Sequence, residues 1–112
     1  MSNIGSATVR SQSASNPIIT NGNTYNAGQF LTSPFYIGLV CSVSNGASLT
    51  YSVQVTCDPL PLSASSNWVN HDTIVNQTAS IYGNIIYPIT GLRLNVTTYS
   101  SGSVNIGVAQ WP

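Results

Sequence analysis

The sequence predicts an all-β fold: a single-domain antiparallel β-sandwich, jelly-roll or immunoglobulin-like, of about eight strands. Three observations predict it. Helical periodicity is absent, and Gly, Pro, Asn and Ser interrupt every window long enough to hold a helix. Two long segments alternate apolar and polar residues with period two, which marks strands that bury one face. The chain has 112 residues, room for one modest core and not for two, so residues 1–112 are expected to form one domain.

Taken in order, residues 1–16 read as an extended N-terminal arm, with weaker strands expected at 7–11, 17–20 and 29–31. The first strong segment is "SPFYIGLVCSVSNGASLTYSVQVTC". Phe35, Ile37, Leu39, Cys41 and Val43 share one face. After the turn Asn45-Gly46-Ala47-Ser48, Leu49, Tyr51, Val53, Val55 and Cys57 share another, opposed by Thr50, Ser52, Gln54 and Thr56. The expectation is a hairpin with one buried and one wet face. Alternation then stops, and residues 58–78 read as a long loop capping the fold. A weaker strand is expected at 84–89, with Pro88 at an edge or bulge because it cannot donate to a ladder.

The second strong segment is "GLRLNVTTYSSGSVNIGVAQW". Folding it about Ser100 sets Val96 opposite Val104, Leu94 opposite Ile106 and Leu92 opposite Val108. These apolar pairs predict a second hairpin in that register.

Only Arg10, Asp58, Asp72 and Arg93 are charged, 4% of the chain, and the net charge is zero. Ordinary soluble domains carry roughly a quarter charged residues. No basic field exists to gather phosphates or anionic lipid, so neither nucleic-acid nor membrane binding is expected. Ser, Thr and Asn contribute 40 residues in place of charge, while apolar types still make 42%. A neutral surface of this kind associates readily, which suits a subunit whose surface is largely consumed by an assembly. Nothing after Met1 reads as a signal peptide, and no apolar run approaches the ~20 residues of a membrane helix. The two glycosylation sequons, at Asn76 and Asn95, are read as chance matches in an Asn/Thr-rich chain.

The stretch "TCDPLPLSASSNWVNHDTIVNQT" gathers Cys57, Asp58, His71 and Asp72. A thiol nucleophile needs a base in reach and a group to orient that base. The expected register buries Cys57, which makes a thiol inert, and neighbouring side chains such as His71 and Asp72 point apart in an extended segment. The same register sets Cys41 and Cys57 too far apart for a disulfide, so two buried thiols are expected. One histidine and two aspartates lack any zinc or calcium spacing, so no catalytic, cofactor or metal residue is assigned and no cofactor is expected. Trp68, flanked by Asn67, Asn70 and His71, is either a contact residue or a lid over the open end of the sandwich. Trp111 is expected to close a strand edge or to dock on a neighbour.

Three stretches in this order, "YSVQVTCDP", "WVNHDTIVNQTAS" and "GNIIYPITGLRLNVTTYSSGSVNIGVAQ", resemble a group of small virion proteins of tailed bacteriophages. Their shared pattern is a "Y-x-V-x-x-T-x-D-x-P" strand, a "W-x-N-H" loop and a "P-(V/I)-T-x-(I/L)-R-L-N-V-T-x-Y-x-S-G-(S/T)-V" hairpin. The resemblance covers roughly residues 50–110, and the closing hairpin is its most specific part. It implies a non-enzymatic decoration or cement protein, made in the host cytoplasm and placed on the capsid surface as a homo-oligomer, dimer or trimer, whose partner is the major capsid protein. A carbohydrate- or receptor-binding adhesion module of a phage particle is the alternative. The candidate structural or interface residues are Asp58, Trp68, Asn70, His71, Arg93, Tyr99 and Trp111, of which Arg93 and His71 carry over from the pattern. Arg93 is expected to pair with Asp58 or Asp72, and His71 to make an orienting hydrogen bond. Cys57 departs from the pattern, which more commonly has another residue before the Asp.

Overall fold

A computed structural model describes residues 2–20, 36–87 and 89–111. Eight strands form in chain order: β1 (Ser2–Val9), β2 (Ile18–Ile19), β3 (Tyr36–Val43), β4 (Ser48–Thr56), β5 (Val69–Asn70), β6 (Ile81–Ile85), β7 (Gly91–Ser101) and β8 (Val104–Trp111). Among the described residues no helix is long and apolar enough to cross a membrane.

The strands make two four-stranded antiparallel sheets, ordered β1-β8-β3-β6 (sheet A) and β2-β7-β4-β5 (sheet B). The pairs β1/β8, β2/β7, β3/β6 and β4/β5 are the rungs of one long antiparallel ribbon. Rolling that ribbon brings β8 onto β3 and β7 onto β4. This is the jelly roll, and the immunoglobulin order is excluded because its first strand lies beside its second.

The alternation expected from sequence is present, but neither expected hairpin forms. The strands β3 and β4 lie in opposite sheets, as do β7 and β8, so each connection is an arch across the core. The two arches exchange partners. Val96, Leu94 and Leu92 face Tyr51, Val53 and Val55 on β4. Val104, Ile106 and Val108 face Val43, Cys41 and Leu39 on β3. An arch turns the apolar face of one strand toward that of the next, so the same side chains fill the space between the sheets. Ile37, Leu39, Cys41, Ile106 and Val108 on sheet A meet Tyr51, Val53, Leu92, Leu94 and Val96 on sheet B, all buried.

The arch tips are tied together. Ser44 N–H donates to the Ser103 carbonyl at 2.9 Å, and Ser103 N–H donates to Ser44 Oγ at 3.0 Å. Gly46 and Gly102 supply the positive φ each turn requires, 78° and 89°.

Further differences follow from pairing the alternation could not specify. Residues 2–9 are not an arm but the edge strand of sheet A, and residues 13–15 bond along β7 through Ser15 N–H to the Leu94 carbonyl and Val96 N–H to the Ser13 carbonyl. The strand expected at 84–89 forms earlier, at Ile81–Ile85. The strand expected at 29–31, and Pro88, lie outside the described residues.

Candidate functional site

Within the segment 58–78, residues 69–77 run along the free edge of β4. His71 N–H donates to the Val53 carbonyl at 2.8 Å, Val53 N–H to the Ile74 carbonyl at 2.9 Å, and Tyr51 and Gln77 exchange two bonds of 2.9 and 2.8 Å. These bonds satisfy a sheet edge that would otherwise be open to pairing with another chain. Asn76 takes the positive φ, 54°, that the irregular path demands, and its N–H donates to Ser52 Oγ at 2.9 Å. Half of the expected wet face of β4 is thereby covered, and Ser52 and Thr56 are buried.

His71 is buried and joins the two sheets. Its Nε2–H donates to the Asn84 carbonyl of β6 at 2.8 Å, while Nδ1 accepts from the backbone N–H of Thr73 at 3.1 Å and of Ile74 at 3.2 Å. Those partners set the tautomer and orient the ring, as expected. The expected separation from Asp72 is not found: Asp72 Oδ1 lies 3.2 Å from Nδ1, because the chain bends after β5 instead of staying extended. With both nitrogens engaged, the imidazole holds the loop to β6.

Cys57 is also placed differently from the expectation. β4 ends at Thr56, where Asp58 N–H turns back to Thr56 Oγ1 at 3.1 Å, so Cys57 leaves the apolar face and is exposed. Cys41 is buried in sheet A and no disulfide joins the two. Burial pushes the Cys41 thiol up from 9.0 to about 12, partly offset by its hydrogen bond with Tyr51. Burial, with Cys41 beside it, likewise raises the Tyr51 phenol above its ordinary value. A raised folded-state pKa stabilises the fold fully below the unfolded value and is lost as pH rises through the folded one. Stability is therefore expected to be flat with respect to these groups below pH 9 and to fall between pH 9 and 12. Urea unfolding across that range checks it. In the same protein at neutral pH, a thiol reagent should label Cys57 at once and Cys41 only after denaturation.

Three of the candidate residues converge on the outer face of sheet B. Arg93, Gln54 and Asn70 stand side by side on β7, β4 and β5. Arg93 Nε–H donates to Gln54 Oε1 at 2.8 Å, and Gln54 Nε2–H to Asn70 Oδ1 at 3.3 Å. The guanidinium lies 4.5 Å from the centroid of the Trp68 ring, whose Nε1–H donates to the Ser63 carbonyl at 2.9 Å. Partial burial there lowers the Arg93 pKa. Among the described residues neither aspartate pairs with Arg93; Asp72 Oδ1 lies instead beside His71 Nδ1. Asp58 instead closes the neck of the loop, accepting from Asn67 N–H at 2.8 Å and from Asn67 Nδ2 at 3.3 Å. Trp68 thus spends one ring face and its only donor inside the chain.

Tyr99 lies away from this cluster at the arch tips, its hydroxyl donating to the Gly102 carbonyl at 2.8 Å. Trp111 ends β8 opposite Tyr36 on sheet A, and its side chain lies outside the described residues.

Two apolar concavities went unnoticed in the sequence. At the loop end, Val55, Cys57, Val69, Tyr87 and Ile89 line a groove of about 300 Å³. Burial, then Asp72, then Cys57 raise the Tyr87 pKa, keeping its phenol neutral there. The other, about 570 Å³, crosses the outer face of sheet A between Tyr36, Val40 and Tyr82 over a floor that includes Gly38 and Gly107. Both could have been suspected from large apolar residues at outward strand positions, Val40, Val69 and Tyr82. Among the described residues no group of three His, Cys, Asp or Glu is placed to hold a metal. No protein-family model and no curated protein matches the chain.

Proposed function

We propose that this chain is a structural, non-enzymatic virion protein that decorates and cements the capsid of a tailed bacteriophage, contacting the major capsid protein as a homo-oligomer. The observation that carries the reading is an exposed apolar surface on a nearly chargeless chain. Val69 and Tyr87 are exposed at the loop-end groove, and Ile86, next to Tyr87 in the chain, is exposed as well. Patches of this kind on a soluble fold mark protein contacts. The resemblance of residues 50–110 to small phage virion proteins adds the identity of the partner. The loop is bonded along β4, joined to β6 by His71 and closed at its neck by Asp58, so it offers a preformed contact surface at little ordering cost. Against the adhesion alternative, Arg93 stacks on one face of Trp68 and so leaves less of the indole for a sugar.

Purified protein is expected to rebind capsids of its phage that have been stripped of decoration, and to raise the temperature at which they release DNA. Rebinding should change little between roughly 0.05 and 0.5 M salt, because little charge is available to screen. Val69→Asp, at an exposed position, should fold normally and fail to rebind. No binding by the wild-type protein, or no shift in DNA release, removes the proposal.

A further inference from the structure

Arg93 is one of the chain's two cations, and the fold leaves its charge unanswered. Both carboxylates are engaged elsewhere: Asp58 accepts from Asn67 at the neck of the loop, and Asp72 lies beside His71. What the guanidinium does have is a frame. It lies over the Trp68 ring, 4.5 Å from the centroid, and its Nε–H donates to Gln54 Oε1 at 2.8 Å. Gln54 is held in turn by Asn70, to whose Oδ1 its Nε2–H donates at 3.3 Å. Indole and amide thus orient a side chain that elsewhere on a protein surface samples many rotamers.

The frame uses one ring contact and the Nε–H, and leaves the two terminal nitrogens. Among the described residues neither Nη1 nor Nη2 has an acceptor within hydrogen-bonding distance. They hold the rest of the fork's N–H groups, all in its plane. Partial burial lowers the Arg93 pKa, and no carboxylate among the described residues offsets that cost. A guanidinium that is oriented, partly desolvated and open at its terminal edge matches a planar carboxylate, which accepts two parallel N–H bonds there. Phosphate fits less well, because a doubly charged group is gathered by several cations, and the chain's other cation, Arg10, follows the edge strand β1 of sheet A.

We infer that Arg93, framed by Trp68, Gln54 and Asn70, is a docking site for a carboxylate carried by an acidic side chain of the protein partner. The inference rests on the reading of the chain as a capsid-binding protein, and it names the chemistry of one contact. Val69 of the loop-end groove follows Trp68 in the chain, so the site adjoins the surface on which that reading stands. Arg and Trp are also the residue types that most often anchor interfaces. On a nearly chargeless surface one open cation gives specificity, since a partner without an acid at that point would bury the charge unpaired. A single pair enclosed between two surfaces is screened little, so the weak salt dependence expected of rebinding is unchanged.

Two measurements on the whole chain test this. In the first, sodium acetate is titrated into isotope-labelled protein at constant ionic strength, with sodium chloride as the control, while the Arg93 Nε–H and Trp68 Nε1–H resonances are followed. Acetate should shift both with a dissociation constant on the order of 10–100 mM, which is what charge-assisted hydrogen bonds to one small anion supply. The Trp68 shift should vanish in Arg93→Gln. No saturable shift, or the same shift with chloride, overturns the inference. In the second, rebinding to stripped capsids is compared among wild type, Arg93→Gln and Arg93→Lys. Glutamine removes the charge and should weaken rebinding by about tenfold or more; lysine keeps the charge without the fork and should restore only part of it. Thermal melts of the variants show whether the fold is kept, and if one melts early the acetate titration of the wild-type protein decides. Rebinding indifferent to Arg93→Gln would mean that the carboxylate comes from another source, such as an acidic sugar; it overturns the inference and leaves the proposed function standing. A chain that binds acetate at Arg93 but never rebinds capsids would remove the proposed function and leave the carboxylate site standing.

Discussion

Replacing Ile74 with alanine is expected to lower the unfolding free energy by about 3–4 kcal/mol, the range for truncating a fully buried isoleucine. In a domain of this size that is a drop of roughly 12–16 °C in the thermal midpoint. Ile74 sits in a stretch of the sequence rich in Asn, Asp, Ser and Thr, yet it is fully buried. Its Cδ1 occupies the space that a side chain at Gly83 would need, 2.9 Å from a Cβ placed there. The residue links the sheets: its carbonyl accepts from Val53 of β4, while its side chain packs against β6. Losing the side chain should loosen the whole segment 69–77, so the Tyr51 and Val53 amides should exchange faster with solvent than those of β7. Denaturant melts with hydrogen exchange report both effects. A loss below about 1 kcal/mol would mean that the segment lies on the fold without being part of its core.

Gly102→Ala is expected to cost roughly 2–3 kcal/mol, from a left-handed backbone position and a steric collision together. The φ of Gly102 is 89°, and a Cβ there would stand 2.3 Å from Ala47 Cβ and 2.7 Å from Ala47 Cα. Gly46, with φ 78°, meets nothing within 4 Å, so Gly46→Ala should carry the conformational part alone, about 1 kcal/mol. The difference between the two variants measures how tightly the arch tips pack. Ala47→Gly added to Gly102→Ala should return only part of that difference, because Ala47 Cα at 2.7 Å and Ser44 Oγ at 2.8 Å still crowd the added Cβ. If the two alanine variants melt together, the tips do not press on each other.

Much of the core was legible in the sequence, and the reason is local. Leu39, Cys41, Val53, Leu94 and Ile106 point inward as expected because alternation is a property of one strand, whatever lies beside it. Ile74 was not legible, since a single isoleucine in an irregular segment has no period to display. Cys57 was misplaced because the alternation was carried one residue past the end of β4, where the turn of Asp58 onto Thr56 ends the strand. For the candidate site, the convergence of Trp68, Asn70 and Arg93 joins loop, β5 and β7, which are up to 25 residues apart in the chain. The expected partners of Arg93 were the chain's two carboxylates, yet an indole face and an amide oxygen outcompeted them. Asp58 was already held by Asn67, and Asp72 lay beside His71.

Composition and periodicity alone determined that this is an all-β domain of about eight strands, which side of each long strand is apolar, and that its surface is nearly without charge. Only the tertiary structure decided that the two expected hairpins are arches and that the sandwich is a jelly roll. It also decided that the free edge of β4 is closed by residues 69–77 and that Gly38, Gly107, Val40 and Tyr82 share one outer face. The physical reason is that an apolar strand face is buried equally well beside a partner in its own sheet or across from one in the other. Hydrophobic burial has no direction, and the choice between the two falls to hydrogen bonds between residues far apart in the chain.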